Sequence, residues 1–193
     1  MKYFYDIQNG YFWDIGAFHP FYISTIHPFI LQGWDGISVE ANPERARNLI
    51  EMRNGYTVLN IAVGKADEMA TLYDFPGEGL ATLEPTIKDY RAKNQKQTVT
   101  NKTIVPQLSM KQICERYFVK KPNVLNLDIE GLGARALMGN DWSNPKCIPD
   151  FIIIEDNVLN KVSGDASISK VLGDNGYISM GYKVNENSFY VKK

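Results

Sequence analysis

Strand-forming runs that stop at an acid constrain this chain more than any other feature. Tyr11-Phe12-Trp13 leads into Asp14-Ile15-Gly16-Ala17-Phe18-His19-Pro20, and Gly36-Ile37-Ser38-Val39 runs into Glu40, 26 positions after Asp14. A strand closed by an acid and a tight small-residue turn, with a helix behind it, is how a nucleotide-binding α/β unit begins. Glycine there lets backbone amides approach a ligand at a helix N-terminus. A carboxylate at the tip of the second strand is placed to accept hydrogen bonds from two ribose hydroxyls. Asp14, Gly16, Ala17 and Glu40 together therefore outline an adenosine-type site. No GxGxxG follows the first strand, which argues against a nicotinamide oxidoreductase.

The rest of the chain repeats the alternation. A helix is expected from Ser24 to Gln32, with Pro28 in its first turn and Gly33 closing it, and another from Asn42-Pro43 to about Arg53, ended by Asn54-Gly55. Tyr56 to Val63 reads as one nearly continuous apolar strand covered on both faces, and Val63 lines either the adenine pocket or the core. Ala70 to Phe75 is a short extra strand, after which Pro76-Gly77-Glu78-Gly79 breaks the pattern. Lys88 to Lys102 is polar and basic without apolar periodicity. It reads as a solvated loop or frayed helix, with a lid over an anionic substrate as the alternative. Ser109 caps a helix holding Met110, Ile113, Cys114 and Tyr117. Val124 to Asp128 and Phe151 to Ile154 are the fourth and fifth strands, with a small-residue helix, Ala134 to Met138, between them. A helix over Ser167 to Leu172 precedes a hairpin built from Tyr177 to Tyr182 and Ser188 to Val191. Five β/α steps and a hairpin describe an open, doubly wound sheet whose last strand is antiparallel, in one domain over residues 1–193 with 76–106 as an irregular insertion or lid.

With 193 residues, 44% of them hydrophobic, and a net charge of −1, the chain is long enough for a core and lacks the basic excess that nucleic-acid binding requires. No apolar run reaches the ~20 residues of a membrane span, and the N-terminus lacks a signal-peptide core. A cytoplasmic protein that engages neither nucleic acid nor membrane is expected. Cys114 and Cys147 show no metal-ligand or redox spacing, and Cys114 reads as a buried free thiol.

Several of these pieces, taken in order, resemble the FkbM-type S-adenosylmethionine-dependent methyltransferases. They are Asp14-Ile15-Gly16-Ala17 with His19-Pro20, Gly33-Trp34-Asp35-Gly36-Ile37, Glu40-Ala41-Asn42-Pro43, Asn60-Ile61-Ala62-Val63, Asp128-Ile129-Glu130-Gly131-Leu132, Asp141-Trp142 and Ile152-Ile153-Ile154-Glu155. The resemblance implies a Rossmann-like methyltransferase fold with a mostly parallel seven-stranded sheet. It also implies an O-methyltransferase acting on a hydroxyl of a sugar, glycan unit or related small molecule, and S-adenosylmethionine held by Asp14, Gly16, Ala17, Glu40, Ala41 and Val63. Two positions depart from the family pattern: Phe18 stands where Asn usually follows Gly-Ala, and Gly133 where an acid usually follows Glu-Gly-Leu. These departures, with a lead of only about ten residues before the first strand, leave a non-catalytic cofactor-binding or scaffold protein as the alternative. The helix that commonly covers the cofactor would then be missing or supplied by a partner chain or second copy.

Methyl transfer needs an acceptor in line and partly deprotonated, so strand-tip acids are the candidate bases: Asp128, Glu130 and, as a third group, His19. Asp128 with Asp156 and Asn157 would present three hard oxygen ligands suited to Mg²⁺, and Glu155-Asp156-Asn157-Val158 looks like the acid-Asn-Val metal segment of catechol-type O-methyltransferases. The plain alternative at Asp156-Asn157 is a polar loop with an Asx turn.

Overall fold

The computed structural model describes residues 4, 7–77, 79–117 and 120–193, so Glu78 of the expected breaker lies outside the described residues. The main sheet contains β1 (Tyr11–Ile15), β2 (Asp35–Val39), β3 (Thr57–Leu59), β8 (Val124–Leu127), β9 (Phe151–Glu155), β10 (Tyr177–Val184) and β11 (Asn187–Lys192). Its order is β10-β11-β9-β8-β1-β2-β3. The strands from β9 to β3 run parallel, whereas β11 lies antiparallel between β9 and β10. The sheet is therefore mixed, and its antiparallel member belongs to the expected hairpin.

Alternation along the central strands feeds two apolar layers. Trp13, Ile15, Ile37, Val39, Leu125, Leu127, Ile152 and Ile154 pack on one face, and Phe12, Val124, Phe151 and Ile153 pack on the other with Ile26, Phe29 and Trp34. Both faces of these strands are therefore covered, and apolar residues dominate them. Burial on both faces leaves the strand tips as the place where polar side chains can gather.

The helices follow their capping signals. Asn42 accepts from the amides of Glu44 and Arg45 to open α2 (Pro43–Met52). Ser109 and Gln112 form a capping box on α4 (Met110–Arg116). α5 (Gly133–Met138) and α7 (Ile168–Asp174) fall where expected. The first helix is shorter than expected. Only α1 (His27–Ile30) is helical, and the Ser24 hydroxyl accepts from the His27 amide in the turn that leads into it.

Two further expectations are corrected. Tyr56 to Val63 is two strands in two sheets: β3 ends at Leu59, and β4 (Ala62–Gly64) joins a four-stranded sheet ordered β4-β7-β5-β6. The turn between them is held by the Asn60 amide group, which donates to the carbonyls of Glu40 and Ala41. The segment 76–106 is largely regular, carrying β6 (Ala81–Thr82), α3 (Pro85–Asn94) and most of β7 (Asn101–Ser109), which pairs antiparallel with β5 (Glu68–Asp74). α6 (Val158–Val162) follows β9 directly, and its N-cap is Asn157, which lends the Asx reading to that residue.

Candidate functional site

Strand register assembles the site. Ile15 pairs with Val39 and with Leu127, Val39 with Leu59, and Leu127 with Ile154. One step further along every strand stand Asn60, Glu40, Gly16, Asp128 and Glu155, in one row across the tips. Backbone bonds carry the pairing into that row: Gly16 N donates to Val39 O at 2.9 Å, Asp128 N to Ile15 O at 2.9 Å and Glu40 N to Leu59 O at 3.0 Å. In an open α/β sheet the crevice beyond the carboxyl ends of the strands is where ligands bind. A cavity of about 160 Å³ lies there.

Asp14, Gly16, Ala17, Glu40, Ala41 and Val63, the six residues proposed from sequence to hold a cofactor, all line this cavity, as do Asp128 and Glu130. Glu40 is buried, and both carboxylate oxygens are oriented: Oε2 accepts from the Phe18 amide at 2.9 Å and Oε1 from the Asn42 amide at 2.8 Å. Burial pushes its pKa up, and the two amides pull against that shift. Gly16 has φ +82°, and a Cβ there would stand 1.7 Å from the Asp128 carbonyl oxygen, so strands β1 and β8 close on each other only if this residue is glycine.

Asp14 plays a different part at the wall. Its Oδ2 accepts from Arg53 Nη1 at 2.8 Å and its Oδ1 from Asn126 Nδ2 at 3.0 Å. Arg53, which sequence reasoning treated only as the end of α2, is fully buried and also donates to Ser38 Oγ, Ser24 Oγ and Pro20 O. An arginine just past the end of a helix carries no sequence signal for such a role. His19 does not line the cavity. Its Nδ1 accepts from the amides of Phe21 and Tyr22, so the imidazole lone pair is spent on holding the loop and the ring proton sits on Nε2. His19 thus orders the loop from outside the cavity wall that Asp128 and Glu130 share.

The acids divide differently from the expected metal set. One ligand oxygen from each of Asp128, Glu130 and Glu155 lies within 4.8 Å of the others. Asp156, one residue past Glu155 on a strand whose side chains alternate, turns to the hairpin, where it meets Lys183 Nζ at 2.9 Å and Ser188 Oγ. Asn157 spends its Oδ1 on the Leu159 amide and donates through Nδ2 to Glu155 and Glu186. The trio Asp128, Asp156 and Asn157 is therefore not brought together as oxygen ligands, and the Mg²⁺ expectation has no support in that arrangement.

Crowding of carboxylates shapes their protonation. Burial first, then the charges of Asp14, Glu186 and Glu40, push Asp128 up to about 6. Burial pushes Glu130 up to about 7, with the Arg91 guanidinium holding it down and Asp128 and Glu186 raising it. Burial and the charges of Asp128, Glu130 and Glu186 push Glu155 up to about 9. Arg91, placed by sequence in a solvated basic stretch, is buried and ion-paired with Glu130, while its guanidinium lies 5.4 Å from the Phe75 ring centre. Glu186, in the hairpin turn, was also missed. Sequence shows only a polar turn there, not the strand tips it faces.

A family model carries the comparison with known proteins. A model described as the methyltransferase FkbM domain matches residues 14–179, which spans every strand tip just described. The chain belongs to the FkbM methyltransferase family. A solved structure of the methyltransferase FkbM from Methylobacillus flagellatus KT is similar in fold, with 12% identity, a TM-score of 0.53, and 95% of this chain covered. This chain spans 44% of the length of that one. No curated protein matches the sequence. Among the described residues, no helix is long and apolar enough to cross a membrane.

Within this FkbM domain both departures from the family pattern have a physical place. Phe18 stands in the cavity wall at φ +50°, with the Arg45 guanidinium 5.1 Å from its ring centre. Gly133 opens α5 beside β9, where a Cβ would meet the tip of the Ile154 side chain at 2.9 Å.

Proposed function

We propose that this chain is an S-adenosylmethionine-dependent O-methyltransferase acting on a hydroxyl of a sugar, glycan unit or related small molecule, built on a doubly wound, Rossmann-like reading of its seven-stranded sheet. The observation that carries the proposal is Glu40. A buried carboxylate whose two oxygens are aimed by backbone amides of the first and second strand-tip turns keeps lone pairs free for a ribose diol. Gly16 and Ala17 line the cavity beside it, next to the acids of the neighbouring strand tips, which fits a nucleoside lying across them. S-adenosylmethionine bound there supplies an electrophilic methyl group on sulfur.

The chain's own residues would then bind, orient and deprotonate. Glu130, poised near 7, is matched to taking a proton from an acceptor hydroxyl at neutral pH, and Asp128, near 6, stands beside it. Arg91 keeps part of the Glu130 population ionised, which a base requires. The same ion pair also favours a second reading, a cofactor-binding chain without turnover, since it occupies one Glu130 oxygen.

Calorimetric titration with S-adenosylhomocysteine tests the first claim: native protein binds, and Glu40→Ala weakens binding at least tenfold. No binding by native protein, or equal binding by the variant, defeats the cofactor proposal. Binding without any methyl transfer to glycans of a cell lysate would favour the non-catalytic reading.

A further inference from the structure

Asp74, the last residue of β5, is 5% exposed, and among the described residues its Oδ2 has no hydrogen-bond partner. A buried carboxylate with acceptors left unused costs folding free energy, so its presence calls for another reason. The bond made by its other oxygen points to one: Oδ1 accepts from Asn42 Nδ2 at 3.0 Å. Asn42 stands two residues past Glu40 and ties it to α2. Its backbone N donates to Glu40 Oε1 at 2.8 Å, and its Oδ1 accepts from the amides of Glu44 and Arg45 at 2.9 and 3.2 Å. The first turn of α2 and Asp74 therefore demand the same orientation of the Asn42 side chain, oxygen toward the helix and nitrogen toward β5. Among side chains that cap a helix well, Ser and Thr carry no second group to reach Asp74, and Asp would set a like charge against it. Asn does both.

β5 also brings the small sheet onto the cavity. Leu72 lines it, as do Thr82 and Ala81 of β6, and Ala81 is the register partner of Asp74. The bond from Asp74 to Asn42 thus fixes this wall against the tip of β2 and the start of α2, where Glu40 and Arg45 line the same cavity.

We propose that Asp74 is a positioning residue for the cofactor: acting through Asn42, it holds the Glu40 carboxylate in the orientation that receives the ribose diol. This deepens the methyltransferase proposal and rests on it. With Asn42 held through N, Oδ1 and Nδ2, its amide stays aimed at Glu40 Oε1 while the Phe18 amide holds Oε2. Released from Asp74, the Asn42 side chain is free to turn, and the backbone that aims Glu40 loses one of its anchors. Preorganisation of this kind adds affinity because less is left to order when the ligand arrives.

Calorimetric titration of the full chain with S-adenosylhomocysteine tests this across a set of variants. Asp74→Ala should weaken binding at least about fivefold, whereas Asp74→Asn, which keeps an acceptor for Asn42 Nδ2, should bind within about twofold of native. In a Glu40→Ala background, Asp74→Ala should cost less than about twofold, because the group it orients is gone. Asn42→Ser still caps α2 but releases Asp74; it should lose about as much affinity as Asp74→Ala, and it carries the test if Asp74→Ala does not fold. Native-like affinity in these two variants overturns the proposal. So does an Asp74→Ala loss that is as large without Glu40 as with it, which would make Asp74 a general support of the fold. An Asp74→Asn loss equal to that of alanine also overturns it, since charge and not orientation would then be the cause. Failure of the native protein to bind S-adenosylhomocysteine sinks the methyltransferase proposal itself, which separates the two outcomes.

Discussion

Replacing Arg53 with methionine removes the cation beneath the site while keeping most of its volume. The side chains of Arg53 and Asp14 are 1% and 2% exposed and 2.8 Å apart, so neither charge can turn to water when the other is lost. Arg53→Met leaves the Asp14 carboxylate with one remaining donor, Asn126, and takes a partner from Ser38, Ser24 and Pro20. Breaking a buried ion pair from one side costs about 3–5 kcal/mol, most of it the isolated charge. That is a large part of the ~5–15 kcal/mol a domain of this kind commands. Urea unfolding followed by circular dichroism should therefore show a sharply lower midpoint with an unchanged slope. The combined variant Asp14→Asn/Arg53→Met should recover part of the loss, because no buried charge remains unpaired. A loss below about 1 kcal/mol for Arg53→Met would refute the buried-strut account, as would a double variant at the sum of the two single losses.

Other outcomes follow from the same geometry. Asp128, Glu130 and Glu155 all titrate above their unfolded values in the folded chain. They contribute stability that is complete below the ordinary carboxylate range and is lost as pH rises through about 6, 7 and 9. The urea midpoint of the ligand-free protein should fall between pH 5.5 and 9, and a flat or rising profile contradicts the acid cluster. Arg91→Met should raise the Glu130 titration by about 1 unit or more, read by carboxyl-carbon NMR, since an opposing charge is removed; no change would mean the pair is not formed in solution. Gly16→Ala should both destabilise the fold and abolish S-adenosylhomocysteine binding, because its Cβ would meet the Asp128 carbonyl at 1.7 Å; native-like calorimetry would show that the strand tips can part.

How much of this was legible depends on what each residue faces. β1, β2, β8 and β9 could be read because both sheet faces are covered and their apolar residues dominate, and Glu40, Asp128 and Glu155, which follow or end three of them, fell into one row, whereas Asp14 lies inside β1, two residues before the row. The same continuity hid the break at Asn60, since β3 and β4 are both apolar and only their partners differ. α3 was legible only as a loop or frayed helix and β7 not at all, because much of each faces water and charge masked inward side chains such as Ile87, Arg91, Val105 and Leu108. Of the expected metal set only Asp128 joins the acid cluster, with Glu130 and Glu155 beside it in place of Asp156 and Asn157. Alternation puts Glu155, not Asp156, among the tips, and the capping role of Asn157 becomes visible only once α6 is known to start there. Arg53 and Arg91 show a further limit: an arginine's partners lie 39 residues away in each case, beyond any local pattern.

The central claim is that the row of strand tips forms one adenosyl site, and a crystal structure of the chain with S-adenosylhomocysteine tests it most directly. Both ribose hydroxyls should donate to the Glu40 carboxylate, with the homocysteine portion passing Gly16 and the sulfur facing Asp128 and Glu130. A ligand bound elsewhere, or a ribose in this cavity that leaves Glu40 untouched, would contradict it.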